Sequence, residues 1–197
     1  MPEKRPASAP RKPAFARRSV VTAFVAVGSN LDPETHILAA LRALQARVQV
    51  RAVSAFYQTP ALPAPAGSIG PQPAPFFLNG VFRIETALEP RAVKFAVLRP
   101  IEAGLGRVRT ADRYAPRTLD LDLILHGRTV ALERDLRLPD PGIRTRNFIA
   151  VPLLELAPDL VLPDTGERLQ TLPVAKDRGG LALRTDFTRQ LRAVLKA

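Results

Sequence analysis

The chain has no cysteine and no tryptophan, one methionine, and only two histidines among 197 residues. Without cysteine there are no disulfides, no thiolate metal site and no cysteine nucleophile. His36 and His126 are too few for a histidine-rich metal site, and neither has a partner cluster in sequence. They read as solvated or capping residues. No apolar run approaches the roughly 18 residues that a transmembrane helix needs. Several motifs are also absent: the G-x-x-x-x-G-K-[ST] phosphate loop, the G-x-S-x-G elbow and the H-E-x-x-H zinc helix. Gly104-Leu105-Gly106 is only a fragment of a glycine-rich fingerprint.

Positive charge and proline are plentiful. Lys and Arg number 29 against 18 Asp and Glu, a net charge of +11 that predicts a polyanionic partner. Nearly half of it lies in residues 1–19, where six basic residues face Glu3 alone. Four prolines and few apolar residues there predict a disordered tail. An Arg-rich, acid-poor leader also fits a transit peptide, but prolines oppose the amphipathic helix such a signal needs. A second proline cluster, residues 60–75, reads as a linker or an active-site loop.

Hydrophobic residues make up 46% of the chain and charged residues 24%, the balance of a globular protein with a real core. The apolar run VVTAFVAV (20–27) predicts a buried strand, and Pro33 opens a helix to about Arg47. Val48 to Tyr57 and Phe76 to Thr86 read as strands. Pro90 opens a second helix to about Ala103, distorted near its end by Pro100. Leu119 to Leu125 is a strand, with Thr129 to Glu133 as its hairpin partner. Phe187, Leu191, Val194 and Leu195 mark a short amphipathic C-terminal helix. The order is βαββαβ, so the expected class is α+β: a ferredoxin-like, mostly antiparallel sheet with helices packed on it. A domain over residues 20–172 and an extension over 173–197 are expected.

The chemistry concentrates between residues 102 and 148. Asp120-Leu121-Asp122 interrupts an apolar strand, and residues two apart share a face with Cα atoms about 6.5–7 Å apart. Two carboxylates there call for positive charge between them. Divalent ions such as Mg²⁺ would supply it, alongside water and phosphate oxygens. The bland alternative is an exposed strand face paired with arginines. Arg107, Arg109, Arg113 and Arg117 lie just before the aspartates, and guanidinium groups grip phosphate oxygens bidentately. Together the two sets suit a polyphosphate with bound Mg²⁺, although Arg–Asp salt bridges would also satisfy both.

Six ordered strings carry a further signal: AVGSNL (26–31), SAFYQTPAL (54–62), FFLNGV (76–81), IEAGLGRVR (101–109), APRTLDLDLIL (115–125) and RTRNFIAVPLLELAP (144–158). In these the chain resembles the 6-hydroxymethyl-7,8-dihydropterin pyrophosphokinases, from about Ala23 to Pro163. The resemblance implies diphosphate transfer from ATP to a pterin alcohol in folate biosynthesis, two Mg²⁺ ions, and ATP binding before pterin. It implies metal binding by Asp120 and Asp122, with Asp122, Arg107, Arg109 and Arg117 catalytic. Glu102, Arg109, Tyr114, Arg117, Leu123 and Arg137 would serve ATP, Leu123 through a backbone contact to adenine. Thr59, Pro60, Leu62, Phe77, Asn79 and Phe148 would serve the pterin. Elementary chemistry agrees, since a flat polar heterocycle wants an aromatic face and an amide that both donates and accepts.

Three positions depart from the family pattern. Asp140 follows Leu138-Pro139 where a histidine is usual, Ala115 replaces a glycine, and Tyr114 replaces a tryptophan. Asp140 and Ala115 motivate one alternative, a catalytically impaired pterin- or nucleotide-binding paralogue. Charge and fold motivate another, a ferredoxin-like nucleic-acid-binding domain. Such domains carry exposed aromatics on adjacent strands, whereas aromatics are 6% here. A cytoplasmic monomer with no nucleic-acid or membrane partner is expected.

Overall fold

The structure, a computed structural model, describes residues 19–60, 76–108 and 117–196. The basic tail, most of the 60–75 loop, Leu62, Arg109, Arg113, Tyr114 and Ala115 lie outside the described residues.

Helices and one antiparallel sheet alternate along the chain. β1 (Val21–Ser29), β4 (Phe76–Thr86) and β5 (Asp120–His126) are its three longest strands, in the order β5-β1-β4 with β5 at the edge and every neighbour antiparallel. Their apolar runs are explained by burial on both faces. One face packs against α1 (Pro33–Gln45), the helical stretch 90–104 and α7 (Thr185–Lys196), through Val25, Val27, Ile37, Leu41, Leu98 and Phe187. The other packs against α5 (Asn147–Leu156), where Ile149, Ala150 and Leu153 meet Phe24, Val81 and Ile124. Among the described residues no helix is long and apolar enough to cross a membrane.

Three expectations need correction. The strand expected over Val48 to Tyr57 is two, β2 (Gln49–Val53) and β3 (Tyr57–Pro60), each pairing a different half of β4. The break falls where Phe56 turns into the core: a Cβ on Gly80 would come within 2.6 Å of its ring, so only glycine leaves room. Ser54 Oγ accepts the Val81 N–H (2.9 Å) across the gap. The segment Thr129 to Glu133 does not pair with β5. Its Ala131–Leu132 instead joins Arg137–Leu138 in a separate two-stranded ribbon. The helix from Pro90 is distorted upstream of Pro100 rather than at its end: Val93–Leu98 is π-helical, and Arg99 N–H bonds the Lys94 carbonyl. Proline supplies no N–H to the carbonyl four residues back, and a five-residue step one turn earlier absorbs that mismatch. Finally, β8 (Ala182–Leu183) adds an edge strand to β3 that no sequence signal announced.

The C-terminal helix α7 forms as expected, and it is part of the core. Phe187 stands edge-on to Phe56 with ring centroids 5.7 Å apart, and Phe56 lies 5.8 Å from Phe82. Phe187→Ala is expected to cost about 3–5 kcal/mol, the range for a buried phenylalanine. Chemical denaturation would read it. A loss below 1 kcal/mol would show α7 to be an appendage.

Candidate active site

One face of the sheet gathers the candidate residues. Paired residues on antiparallel strands share a face, and the register places Tyr57, Asn79, Gly28 and Asp120 in a single row across β3, β4, β1 and β5. Beside it, Thr59 opposes Phe77 on one side and Ala26 opposes Asp122 on the other. Asn79 and Asp120, two strands apart, are roughly 10 Å from one another. The amide and aromatic half and the carboxylate half are therefore neighbours on one surface, separated by Gly28.

In the amide half, Asn79 is buried and donates through Nδ2 to Thr59 Oγ1 (2.8 Å). That bond fixes which way the amide faces. A Cβ on Gly28 would lie 2.9 Å from Asn79 Oδ1, so the glycine gives the amide its room. Gly28→Ala is expected to displace the Asn79 side chain and weaken pterin binding about tenfold while leaving the fold intact. Fluorescence titration with a pterin would check this, and unchanged affinity would count against the role of the amide. Phe77 is half-buried with the Arg117 guanidinium 5.6 Å from its ring centre. Phe148, at the start of α5, has Arg146 5.9 Å over its ring. Pro60 is exposed at the end of β3.

In the carboxylate half, Asp120 accepts from Arg117 Nη1 (2.6 Å), and Arg107 Nη2 lies 3.7 Å away. For this aspartate the bland alternative of Arg–Asp pairing is therefore realised. Asp122 differs: its side chain is exposed to solvent. Its pKa is raised to about 6, first by lost hydration and then by repulsion from Asp120, Asp140 and Glu102, with Lys94 opposing. Because water still reaches the side chain, repulsion from the neighbouring carboxylates is the firmer of the two causes. Among the described residues no group of three His, Cys, Asp or Glu side chains converges on a point. Mg²⁺ takes one or two carboxylates and fills its other positions with water and phosphate oxygens. The clustered negative charge of Asp120, Asp122, Asp140 and Glu102, only partly offset by Arg117, Arg107 and Lys94, fits such a cation.

Glu102 is only 1% exposed and accepts the Leu121 N–H through Oε1 (2.8 Å), so it holds the open edge of β5. Leu123 is buried on that strand, and Arg137 is exposed on the ribbon beside it. Asp140 Oδ1 accepts the Gly142 N–H (2.7 Å), and its own N–H donates to the Ile124 carbonyl (2.9 Å). Its carboxylate thus caps the following turn. Of the histidines, His36 Nδ1 contacts the Leu31 carbonyl (2.7 Å) and His126 Nε2 the Leu88 carbonyl (2.9 Å). His126 is buried rather than solvated.

Residue-type reasoning missed the role of Ser29 and Asn30. Ser29 Oγ donates to the Thr118 carbonyl (2.6 Å), and Asn30 Oδ1 accepts the Arg117 N–H (2.7 Å). The end of β1 thereby pins the start of β5 and orients Arg117. The available signal was the GSNL string itself, which carries no charge or periodicity to assign a task.

A family model described as 7,8-dihydro-6-hydroxymethylpterin-pyrophosphokinase (HPPK) matches residues 24–158. Among similar proteins is a 2-amino-4-hydroxy-6-hydroxymethyldihydropteridine pyrophosphokinase of Haemophilus influenzae. It is 38% identical over 149 residues, covering 74% of this chain and 88% of the relative. The enzyme of the same name from Pseudomonas aeruginosa is 41% identical over 155 residues, covering 77% and 90%. Among solved structures, a Plasmodium falciparum HPPK-DHPS aligns with a TM-score of 0.54 at 10% identity. That alignment covers 78% of this chain and 43% of the other, and supports the mixed helix and antiparallel-sheet fold alone. By matched family model and close relatives together, the chain belongs to the 7,8-dihydro-6-hydroxymethylpterin-pyrophosphokinase family.

Proposed function

We propose that the protein transfers diphosphate from ATP to the hydroxymethyl oxygen of 6-hydroxymethyl-7,8-dihydropterin, releasing AMP, in folate biosynthesis. The observation that carries this is the row Asn79, Gly28, Asp120, which sets an amide beside a carboxylate pair on one face. The pterin lies at Asn79 and Thr59, between Phe77 and Phe148, with Pro60 at the end of β3 and Leu62 after it in the chain. Its hydroxymethyl group then points along the row toward Asp120 and Asp122. ATP occupies the carboxylate half, with Arg107, Arg109 and Arg117 on its phosphates and Tyr114, Leu123 and Arg137 around the nucleotide. Glu102 acts through β5, holding Leu121 rather than touching ATP.

Asp120 and Asp122 would hold two Mg²⁺ ions, which lower the pKa of the attacking hydroxyl and neutralise the phosphates when bound. The hydroxymethyl oxygen attacks the β-phosphorus in line, the bond to the α-phosphate oxygen breaks, and AMP leaves. The arginines offset charge as it moves onto the leaving group. Asp140 is occupied as a cap, so its replacement of the family histidine does not by itself argue for an impaired paralogue.

The order β5-β1-β4-β3, antiparallel throughout, supports a ferredoxin-like βαββαβ core. On this reading residues 20–172 form the catalytic domain, and the protein works as a cytoplasmic monomer. A coupled assay for AMP tests the function. AMP release that requires 6-hydroxymethyl-7,8-dihydropterin is expected, and release indifferent to it would overturn the proposal.

A further inference from the structure

Residues 177–188 follow the stretch matched by the family model, yet they dock on β3 and α5, two of the elements that carry the pterin-side residues. Just before β3, Arg184 N–H donates to the Phe56 carbonyl (2.9 Å), and the Phe56 N–H donates to Thr188 Oγ1 (2.9 Å). Ala182 and Leu183 pair with Gln58 and Tyr57. On α5, Asn147 Nδ2 donates to the Gly179 carbonyl (2.8 Å) and to Asp177 Oδ2 (3.3 Å). Arg178 spans the two elements. Its Nη1 donates to Tyr57 Oη (2.6 Å) and lies 3.5 Å from Glu155 Oε1, with its guanidinium 5.7 Å over the Tyr57 ring. Tyr57 Oη in turn donates to Glu155 on α5, whose other oxygen accepts the Ala55 N–H (2.8 Å).

These contacts end beside the binding groups. Tyr57 is 5% exposed and stands opposite Asn79; two residues on is Thr59, which holds the Asn79 amide. Asn147 immediately precedes Phe148. We propose that the 177–188 segment, through Arg178, is a positioning element for the pterin: it sets the spacing between the Thr59–Asn79 edge and the Phe148 ring. The inference rests on reading this face as a pterin pyrophosphokinase site.

Recognition of a flat heterocycle by an amide edge and a stacked ring needs both held within about 0.5 Å. A planar guanidinium engages the phenol oxygen and the carboxylate while lying over the Tyr57 ring, a fixed geometry that a lysine ammonium does not reproduce. Arg178 is 57% exposed, so the ion pair itself contributes little to global stability. Positioning and folding are therefore separable.

The test uses the full chain and the variants Arg178→Met, Arg178→Lys and Tyr57→Phe. Fluorescence of 6-hydroxymethylpterin reads pterin affinity in the presence of Mg²⁺ and a non-hydrolysable ATP analogue, and calorimetry reads the analogue alone. Arg178→Met is expected to weaken pterin binding about tenfold, with nucleotide affinity and melting temperature unchanged. Arg178→Lys should recover only part of that loss. Tyr57→Phe should shift affinity in the same direction, and the combination with Arg178→Met should fall short of additive. Unchanged pterin affinity in Arg178→Met and Tyr57→Phe would overturn the inference. So would a parallel loss of nucleotide affinity and thermal stability. Wild type that binds the analogue but no pterin would overturn the site reading itself, a result distinct from failure of the variants.

Discussion

Asp122→Ala is expected to lose turnover by roughly a thousandfold or more, the several kcal/mol that a metal-holding carboxylate supplies to phosphoryl transfer. The fold should survive, because the side chain is exposed to solvent and Leu121 and Leu123 carry the core contacts of β5. The isosteric Asp122→Asn adds a stability signature. The folded pKa of Asp122 is raised from 3.8 to about 6, so the folded protein holds that proton more tightly than the unfolded chain does. By linkage, the metal-free protein loses stability as pH climbs from about 4 to about 6 and remains at the lower level above. Removing the charge abolishes that loss. Metal-free Asp122→Asn should therefore melt above wild type at pH 7 and coincide with it near pH 4. Near-wild-type turnover in either variant would sink the assignment, and a melting difference that grew toward low pH would contradict the electrostatic account.

Arg117→Ala is expected to lower turnover about a hundredfold or more, with a smaller effect on nucleotide affinity. Arg117 links the two halves of the site. It pairs with Asp120 at 2.6 Å, lies over Phe77, and donates its backbone N–H to Asn30 Oδ1. Alanine leaves Asp120, among the described residues, with Arg107 at 3.7 Å and uncovers the ring. Arg117→Lys should restore little, because an ammonium cannot make the planar fork to carboxylate and phosphate. Single-turnover kinetics separates the two effects. A change confined to nucleotide affinity would reduce Arg117 to a binding residue.

Much of the sheet was legible because its signals are local. β1, β4 and β5 are apolar runs buried on both faces, and Asp120 and Asp122 stand out on one of them by spacing alone. What was not legible depends on residues far apart in the chain. The break at 54–56 exists because Phe56 needs the space over Gly80 and is bonded by Arg184 and Thr188. The Tyr57–Arg178 bond joins residues 121 positions apart, with no motif at either end. The expected hairpin at Thr129 to Glu133 failed for the opposite reason. A turn beside a strand suggested a local partner, whereas Gly127, at φ +51°, donates its N–H to Thr22 across the sheet while the chain leaves to build its own ribbon.

Charge needed position before it meant anything. A surplus of +11 spread over the chain pointed to no particular partner. Within the fold, Arg107 and Arg117 converge on Asp120, while Arg99 stacks 4.6 Å over Phe95. On the proposed function, the arginines that flank the aspartates are those the reaction would use.

The most direct test of the central claim follows the phosphorus atoms. The full chain is incubated with Mg²⁺, 6-hydroxymethyl-7,8-dihydropterin and ATP labelled in separate experiments at the α- and γ-phosphates. Attack at the β-phosphorus predicts that the α label appears only in AMP and the γ label only in the pterin product, in equal amounts. Formation of ADP, or α label lost to AMP without pterin present, would contradict it.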